Sequence, residues 1–497
     1  MEYIQGTQRD QMFLFSESLD TMIEKENPVR IIDAYVESLN LEKLGFNIPK
    51  LVTGKPPYRP QLMLKIYMYG YMERIRNSRR LEKETKRNKE MIWLTEGLSP
   101  DFKTIADFRK NNRKAIKNVF KEFLNLCNKA GLLSLETVAI DGTKIRAQNS
   151  LNNVYKRDEM ENIQKRIEEK IEEYLTELEK EDSKEAEELK LEVDKKAIEI
   201  AEKLKKLSKY KDKVDEIQKA FEEDEELETI FYNDEDCRFQ SDKGKVRPGY
   251  NAQIASDDKN KLIIAEDVTN ESNDLNQTSP MVEKLKEIKN ELGIEGKSEV
   301  IEDAGYFNEQ EIVRFKEDEE IELYIPDKKE VNKSRKSEDK IPQKEYDADK
   351  FKYEKENDVY ICPEGKKLFK THERPVRENS GREVFEYQCR ECNECKNRDK
   401  CTNNKRGRSI KVSVNREYMD KYKNRMKDKK SLEKIEKRKG IVEHPFGTIK
   451  RNFGYDYFLL KGFDKVRSEF SFICFIYNFR RVMNILGFKQ LMELIKT

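Results

Sequence analysis

Along the first quarter of the chain the apolar positions recur with the period of a helix. Ile31, Ile32, Tyr35, Val36 and Leu39 share one face, Pro56, Pro57 and Pro60 break the pattern, and Leu62-Met63-Leu64-Lys65-Ile66-Tyr67 opens a second helix. Arg74, Arg76, Arg79, Arg80, Lys83, Lys86, Arg87 and Lys89 follow in a helix-forming context. Ser99-Pro100-Asp101 then marks a turn, and Thr104 to Leu126 reads as one further helix, so residues 28–133 are predicted helical. The period then shortens. Val138-Ala139-Ile140 reads as a buried strand that Asp141 interrupts, with Gly142-Thr143 predicted to turn the chain. From Asp158 to Glu228 nearly every residue is Glu, Lys, Asp, Leu or Ile. Met160, Ile163, Ile167, Ile171, Tyr174 and Leu178, then Ile200, Leu204, Leu207 and Val214, follow helical spacing. Two long helices with a narrow apolar stripe are predicted, either folded as an antiparallel hairpin or offered to another subunit.

Strand periodicity returns at Tyr250-Asn251-Ala252-Gln253-Ile254-Ala255 and Leu262-Ile263-Ile264-Ala265, a hairpin across Asp257-Asp258-Lys259-Asn260. Pro280 to Leu292 is predicted as a helix capped by Ser279 and stopped by Gly293. Glu299 to Glu302 leads to Asp303-Ala304-Gly305-Tyr306, a second carboxylate at a strand end, then a helix from Asn308 and a strand over Ile321 to Ile325. This alternation is an α/β layout with both aspartates at strand ends. Lys328 to Asp349 is polar and weakly patterned and reads as a loop. The last apolar stretch, Phe470, Phe472, Ile473, Phe475, Ile476, Phe479 and Val482, is a helix expected to be largely buried.

The 497 residues suffice for two to four domains. Charged residues make up 40% and hydrophobic ones 36%, so much of the charge must lie on solvated helices or patches. Lys+Arg 99 against Asp+Glu 98 gives +1, a total that hides segregation. Lys405 to Arg451 alone carries 17 basic residues against 6 acidic ones, which suits nucleic acid. The basic helix around Arg79 and Arg80 suits a DNA groove or a plain solvated face equally. No secretory start and no run of about 18 apolar residues are found, so an intracellular protein without a membrane span is expected.

Five of the 8 cysteines fall between Cys362 and Cys401. Cys362, Cys389, Cys392, Cys395 and Cys401 have steps that can close a tetrahedral zinc site, and such an ion can order a small domain lacking a core of its own. Cys362, Cys392, Cys395 and Cys401 are the favoured four, with Cys389 or His372 as alternatives. Three acidic positions stand out as well: Asp141 and Asp303 at strand ends, and Glu443 on a helix in the most basic segment. Converging carboxylates could hold two divalent ions about 4 Å apart, an arrangement that serves phosphodiester displacement. Hard oxygen ligands favour Mg²⁺ or Mn²⁺ there. Glu443 and Lys450, seven apart, are predicted to share a helix face.

At these residues the chain resembles the DDE transposases of bacterial insertion sequences. The resemblance is carried in order by Thr104-Ile105-Ala106-Asp107-Phe108-Arg109, Val138 to Ala147, Gly249-Tyr250-Asn251-Ala252-Gln253, Asp303-Ala304-Gly305-Tyr306, the Cys-rich stretch and Glu443 to Gly454. It implies an α/β fold with an RNase H-like mixed-sheet catalytic core, an all-helical N-terminal domain, an inserted helical hairpin and a small zinc-ribbon-like insertion. The implied division is a DNA-binding domain at 1–134, core at 135–157 and 229–327, hairpin at 158–228, Cys-rich insertion at 328–412, and C-terminal core helices at 413–497.

By the same resemblance Asp141, Asp303 and Glu443 would bind the metal ions and act catalytically, and Lys450 would touch a DNA phosphate. Lys439, Arg438, Arg451, Tyr306, Arg79 and Arg80 would complete the DNA contacts. Relatives carry Tyr and Arg seven and four residues before the glutamate, where this chain has Glu436 and Lys439 with Arg438 adjacent. A lysine keeps a phosphate contact but not the bidentate geometry of arginine. The implied reaction is hydrolytic nicking at the element ends followed by attack of the freed 3′ hydroxyl on target DNA. The expected assembly is a homodimer on double-stranded DNA in the bacterial cytoplasm, at the nucleoid. Two alternatives are a metal-dependent nuclease of the same fold and an inactive DNA-binding descendant.

Overall fold

The computed structural model describes residues 18–48, 56–184, 190–327, 346–378 and 382–496. The polar start Met1 to Asp10 and most of the polar stretch Lys328 to Asp349 lie outside them. The N-terminal region is helical, with α1 (Val29–Ser38), α2 (Pro60–Met72), α3 (Ser78–Arg87), α4 (Lys89–Leu94), α5 (Phe102–Asn111) and α6 (Arg113–Lys129). Local chemistry sets their ends. Pro60 fills the first position of α2, Asn77 accepts from the Arg79 and Arg80 amides, and Asp101 accepts from those of Lys103 and Thr104. The single helix expected over Thr104 to Leu126 is two. Asn112 leaves helical geometry because its side chain donates to Phe108 O and accepts from the Asn47 amide, tying the break to a distant loop.

The sheet is mixed. Strands β1 (Thr137–Arg146), β2 (Val154–Lys156), β3 (Thr229–Phe231), β4 (Arg238–Asp242), β5 (Lys245–Asp257), β6 (Ile263–Thr269), β7 (Ser298–Ile301) and β8 (Ile321–Tyr324) precede the Cys-rich region, and β2 and β3 pair only with each other. In the main sheet β5 lies antiparallel to β1, β6 and β4, while β1–β7 and β7–β8 are parallel. Helix α9 (Thr278–Leu292) connects β6 to β7, and α10 (Glu309–Arg314) connects β7 to β8. Ser279 does not cap α9. The helix starts at Thr278, two residues earlier than expected, and the Ser279 amide donates to Glu311 Oε2 at 2.7 Å.

Gly142-Thr143 does not turn the chain either: β1 continues to Arg146, with Gly142 opposite Gln253 and Thr143 opposite Ala252. Glycine is needed there for close approach. A Cβ at 142 would fall on Gln253 Nε2 and lie 2.8 Å from Asp274 Oδ1 and 2.9 Å from Asn251 Oδ1.

Between β2 and β3, α7 (Met160–Lys184) and α8 (Lys190–Glu223) pack on each other through Met160, Ile167, Val214, Ile217 and Phe221, in a cluster separate from the main core. The cysteine region also has more structure than expected. Strands β9 (Lys352–Glu354), β10 (Val359–Ile361), β11 (Lys367–Lys370), β12 (Val376–Arg377), β13 (Glu383–Cys389) and β14 (Ser409–Ser413) form a six-stranded sheet, with the short helix α11 (Arg398–Cys401) beside it. Phe351, Tyr360, Leu368, Tyr387 and Ile410 give that sheet a core of its own.

The chain closes with α12 (Arg416–Arg425), α13 (Lys429–Gly447), a π-helical turn over Thr448–Asn452, and α14 (Phe463–Lys496), which breaks at Gly487. The widened turn means that Lys450 does not follow Glu443 at regular α-helical spacing, contrary to the shared-face expectation. Residues 470–479 of α14 are buried without exception. Phe475 and Phe479 meet Tyr35 and Phe123, and Phe472 meets Tyr67 and Tyr71, so the N-terminal helices and α14 share one core. Among the described residues no helix is long and apolar enough to cross a membrane.

One charged pair is enclosed in this core. Arg76 Nη1 lies 3.1 Å from Glu469 Oε1, with side-chain exposures of 5% and 0%. Arg76 also donates to Tyr457 O, and Glu469 accepts from the Leu459 and Leu460 amides. Removing either charge strands the other away from water. Arg76→Met or Glu469→Leu is therefore expected to lower stability by about 3–5 kcal/mol in chemical denaturation. A loss below about 1 kcal/mol would mean that the pair is dispensable.

Candidate active site

Asp141 lies within β1, and Asp303 follows the end of the neighbouring parallel strand β7. Each carboxylate has one oxygen fixed by a nearby amide: Gly142 donates to Asp141 Oδ1 at 2.9 Å and Gly305 to Asp303 Oδ1 at 2.7 Å. The other oxygens face one cation. Arg438 on α13 places Nη1 3.0 Å from Asp141 Oδ2 and Nη2 3.8 Å from Asp303 Oδ2, with side-chain exposures of 13%, 22% and 42% for Arg438, Asp141 and Asp303. Burial pushes the Asp141 carboxyl up to about 6; Arg438 pulls against this and the nearby Asp303 charge adds to it.

Helix α13 reaches this position because it lies across the sheet. Lys434 bonds Glu299 on β7 and Tyr324 on β8, while Ile441 and Val442 pack on Ala139 of β1. Past Asp141 along the same strand, Lys450 Nζ donates to Thr143 Oγ1 at 3.1 Å and to Lys144 O at 3.0 Å. Glu443 stands between Arg438 and Lys450 in the chain and is exposed. Among the described residues no group of three His, Cys, Asp or Glu side chains is gathered tightly enough to hold a metal ion. The structure thus brings Asp141 and Asp303 together around Arg438 and leaves Glu443 facing solvent.

The residues expected on DNA separate. Lys439, Arg451, Arg79 and Arg80 are exposed, with Arg79 lying over the Phe102 ring. Arg438 is instead drawn onto the two carboxylates. Tyr306 is fully buried and donates to Gln253 Oε1, so it braces the Asp303 turn from inside and has no surface to offer DNA.

The sequence reading gave no role to a network beneath these strands. Asp274, on the loop after β6, accepts from Asn251 Nδ2 at 2.6 Å and from Gln253 Nε2 at 2.8 Å, and Lys144 Nζ lies 3.8 Å from the same oxygen. Asn251 and Gln253 are wholly buried on one face of β5. Two amides at a period of two in an apolar strand signal a polar partner across the sheet, since buried amides require one.

The cysteines share one small cavity, although among the described residues no three of them are gathered closely enough as they stand to enclose an ion. Cys362, Cys389, Cys392, Cys395 and Cys401 line it, and the Lys366 and Arg408 amides donate to Cys362 Sγ and Cys392 Sγ, both at 3.3 Å. All are free thiols.

A mixed α/β protein with two carboxylates facing a single cation, one within a strand and one just past the end of its parallel neighbour, fits the class of metal-dependent phosphoryl-transfer enzymes. Comparison with known families is more specific. A family model described as "Transposase DDE domain" matches residues 361–483, and one described as "Transposase domain (DUF772)" matches residues 17–111. No curated protein and no solved structure matches the chain. The chain belongs to the DDE transposases of insertion-sequence type and is a DNA transposase. That class catalyses DNA cleavage and strand transfer with divalent metal ions, and its DDE domain implies an RNase H-like core.

If Arg438 serves as the counter-charge for the two aspartates, Arg438→Ala in EDTA should lose about 2–3 kcal/mol, with a correspondingly lower melting temperature. Added Mg²⁺ or Mn²⁺ should then raise that temperature more than in the wild type, because the competing guanidinium is gone. Equal stability and equal metal response in both proteins would remove Arg438 from this role.

Proposed function

We propose that Asp141, Asp303 and Glu443 form the catalytic triad of this transposase and hold its divalent ions, Mg²⁺ or Mn²⁺. The observation that carries the reading is the shared orientation of Asp141 Oδ2 and Asp303 Oδ2 toward one cation. A guanidinium neutralises the pair in this structure, and hard carboxylate oxygens suit Mg²⁺ or Mn²⁺ equally. Glu443 is exposed and free to change rotamer, and it belongs to the helix whose Arg438 touches Asp141 and whose continuation places Lys450 on the next residues of β1. When bound, two ions would activate the attacking oxygen and stabilise the leaving one.

Around them the protein's own groups fix the geometry. Gly142 and Gly305 amides hold Asp141 and Asp303, Arg438 would move from the carboxylates toward phosphate, and Lys450 would hold the DNA backbone. The core is assigned to 135–157, 229–327 and 413–497, with the N-terminal helices at 1–134 as a DNA-binding region. The α7–α8 hairpin at 158–228 and the Cys-rich sheet at 328–412 are insertions. Synapsis of two DNA ends calls for a homodimer on DNA, at the nucleoid.

Asp141→Asn, Asp303→Asn and Glu443→Gln should each bring cleavage and strand transfer on paired element ends to background, while DNA affinity in EDTA stays within about threefold of wild type. Full activity in any one of them would take that residue out of the site. Joined products from the wild type separate a transposase from a nuclease that only cuts.

For the cysteines we propose a structural zinc held by Cys362, Cys392, Cys395 and Cys401, with Cys389 kept for the core of the sheet. The N–H···S bonds to Cys362 and Cys392 are the supporting geometry, since such donors stabilise thiolates. Protein purified without added metal should contain about one zinc per chain. Cys395→Ser or Cys401→Ser should lower both zinc content and melting temperature. Zinc-free protein with an unchanged melting temperature would exclude the site.

A further inference from the structure

We propose that the β4–β5 hairpin and the start of the groove beneath it form a second DNA-backbone contact, contiguous with the proposed active site. The hairpin closes through Lys243 and Gly244, both at positive φ (50° and 78°), a two-residue turn whose twist keeps the strands paired up to the tip. Residues 241–247 are all exposed, so the hairpin projects from the sheet.

Its cations are close together and unmatched: among the described residues, Lys243, Lys245 and Arg247, within five positions of one another, have no ion-pair partner, and the adjacent Asp242 pairs with Lys450 instead. The hairpin walls a cleft of about 290 Å³ whose other wall carries Lys144, Arg146 and Lys450. Asp242 and Asp456 line it too, but they pair with Lys450 and Arg146 and balance only those two. Lys450, which lines the cleft, bonds Thr143 Oγ1 and Lys144 O, two and three residues beyond Asp141 on β1, so the cleft starts beside the aspartate pair.

An array of unpaired amines and a guanidinium on a protruding hairpin, with no buried apolar surface to read a base, suits phosphate oxygens. The partner is thus double-stranded DNA, gripped by its backbone without sequence preference, as the duplex runs away from the cut. This rests on the active-site reading only for the direction of the DNA, and the contact itself can be measured without catalysis.

The test uses the full-length protein, in EDTA, with a labelled random-sequence duplex and equilibrium binding at several salt concentrations. The variant Lys243→Ala/Lys245→Ala/Arg247→Ala should bind at least tenfold more weakly. The slope of log K against log salt should flatten by about 2–3, near one unit for each lost contact. Lys243→Arg/Lys245→Arg should keep wild-type affinity. A matched loss of three exposed lysines on α8, Lys205→Ala/Lys206→Ala/Lys209→Ala, should change little.

Wild-type affinity and slope in the hairpin variant would overturn the proposal. So would an equal loss in the α8 variant, since that would mean a general charge effect. Because Asp141, Asp303 and Glu443 are untouched and no metal is present, failure here leaves the catalytic reading standing. Failure of the catalytic variants likewise leaves this one standing.

Discussion

A helix that is apolar on every face has to be covered on every face, and α14 imposes that requirement on the rest of this protein. Its Phe470 to Phe479 segment is buried throughout, with the N-terminal helices on one side and β6 of the sheet on another. At about 2 kcal/mol for each large apolar side chain removed from water, this helix dominates the contact between the two regions. It also explains why Glu469 is tolerated there. The carboxylate is enclosed with Arg76 and two backbone amides, so it registers the helix against the N-terminal region at one position.

The second constraint is electrostatic and local. Parallel pairing of β1 with β7 brings two aspartates toward one place, and burial makes a pair of like charges costly unless a cation intervenes. Here the cation is Arg438, delivered by a helix that lies across the strands and is fixed by Lys434 at one end and Ile441 and Val442 further on. The oxygens that Arg438 touches are those not already committed to the amides of Gly142 and Gly305. The pair is therefore held open toward a single positive partner, whichever one occupies the site.

The elements that could be read from the sequence were those with a strong period or a strong local signal. The helices of the first quarter, the β5–β6 hairpin, α9 with Gly293 at its end, and the strands that carry Asp141 and lead to Asp303 all fall in this group, although Asp141 lies in mid-strand and not at a strand end. What could not be read depended on partners far away in the chain. Gly142 looks like a turn until Gln253 and Asp274 are seen to need its missing side chain. Asn112 looks like an ordinary helical residue until Asn47 claims its amide. The six-stranded sheet around the cysteines was hidden because its strands are two to seven residues long and rich in charge. Arg438 was read as a DNA contact because sequence shows a basic residue in a basic run; only the fold shows which acids it faces.

A net charge of +1 on 497 residues removes any long-range pull on DNA, so attraction must come from places where cations are left unmatched. In this protein several of the cations nearest the strands are held by acids, among them Arg438, Lys144 and Arg146. Cations without an ion-pair partner among the described residues stand instead on the β4–β5 hairpin, at Lys243, Lys245 and Arg247, across a cleft from β1. Under the proposed hairpin contact, a nearly neutral protein with a basic cleft beside its aspartate pair would hold DNA through that cleft, and the charge segregated along the chain would give the duplex its direction.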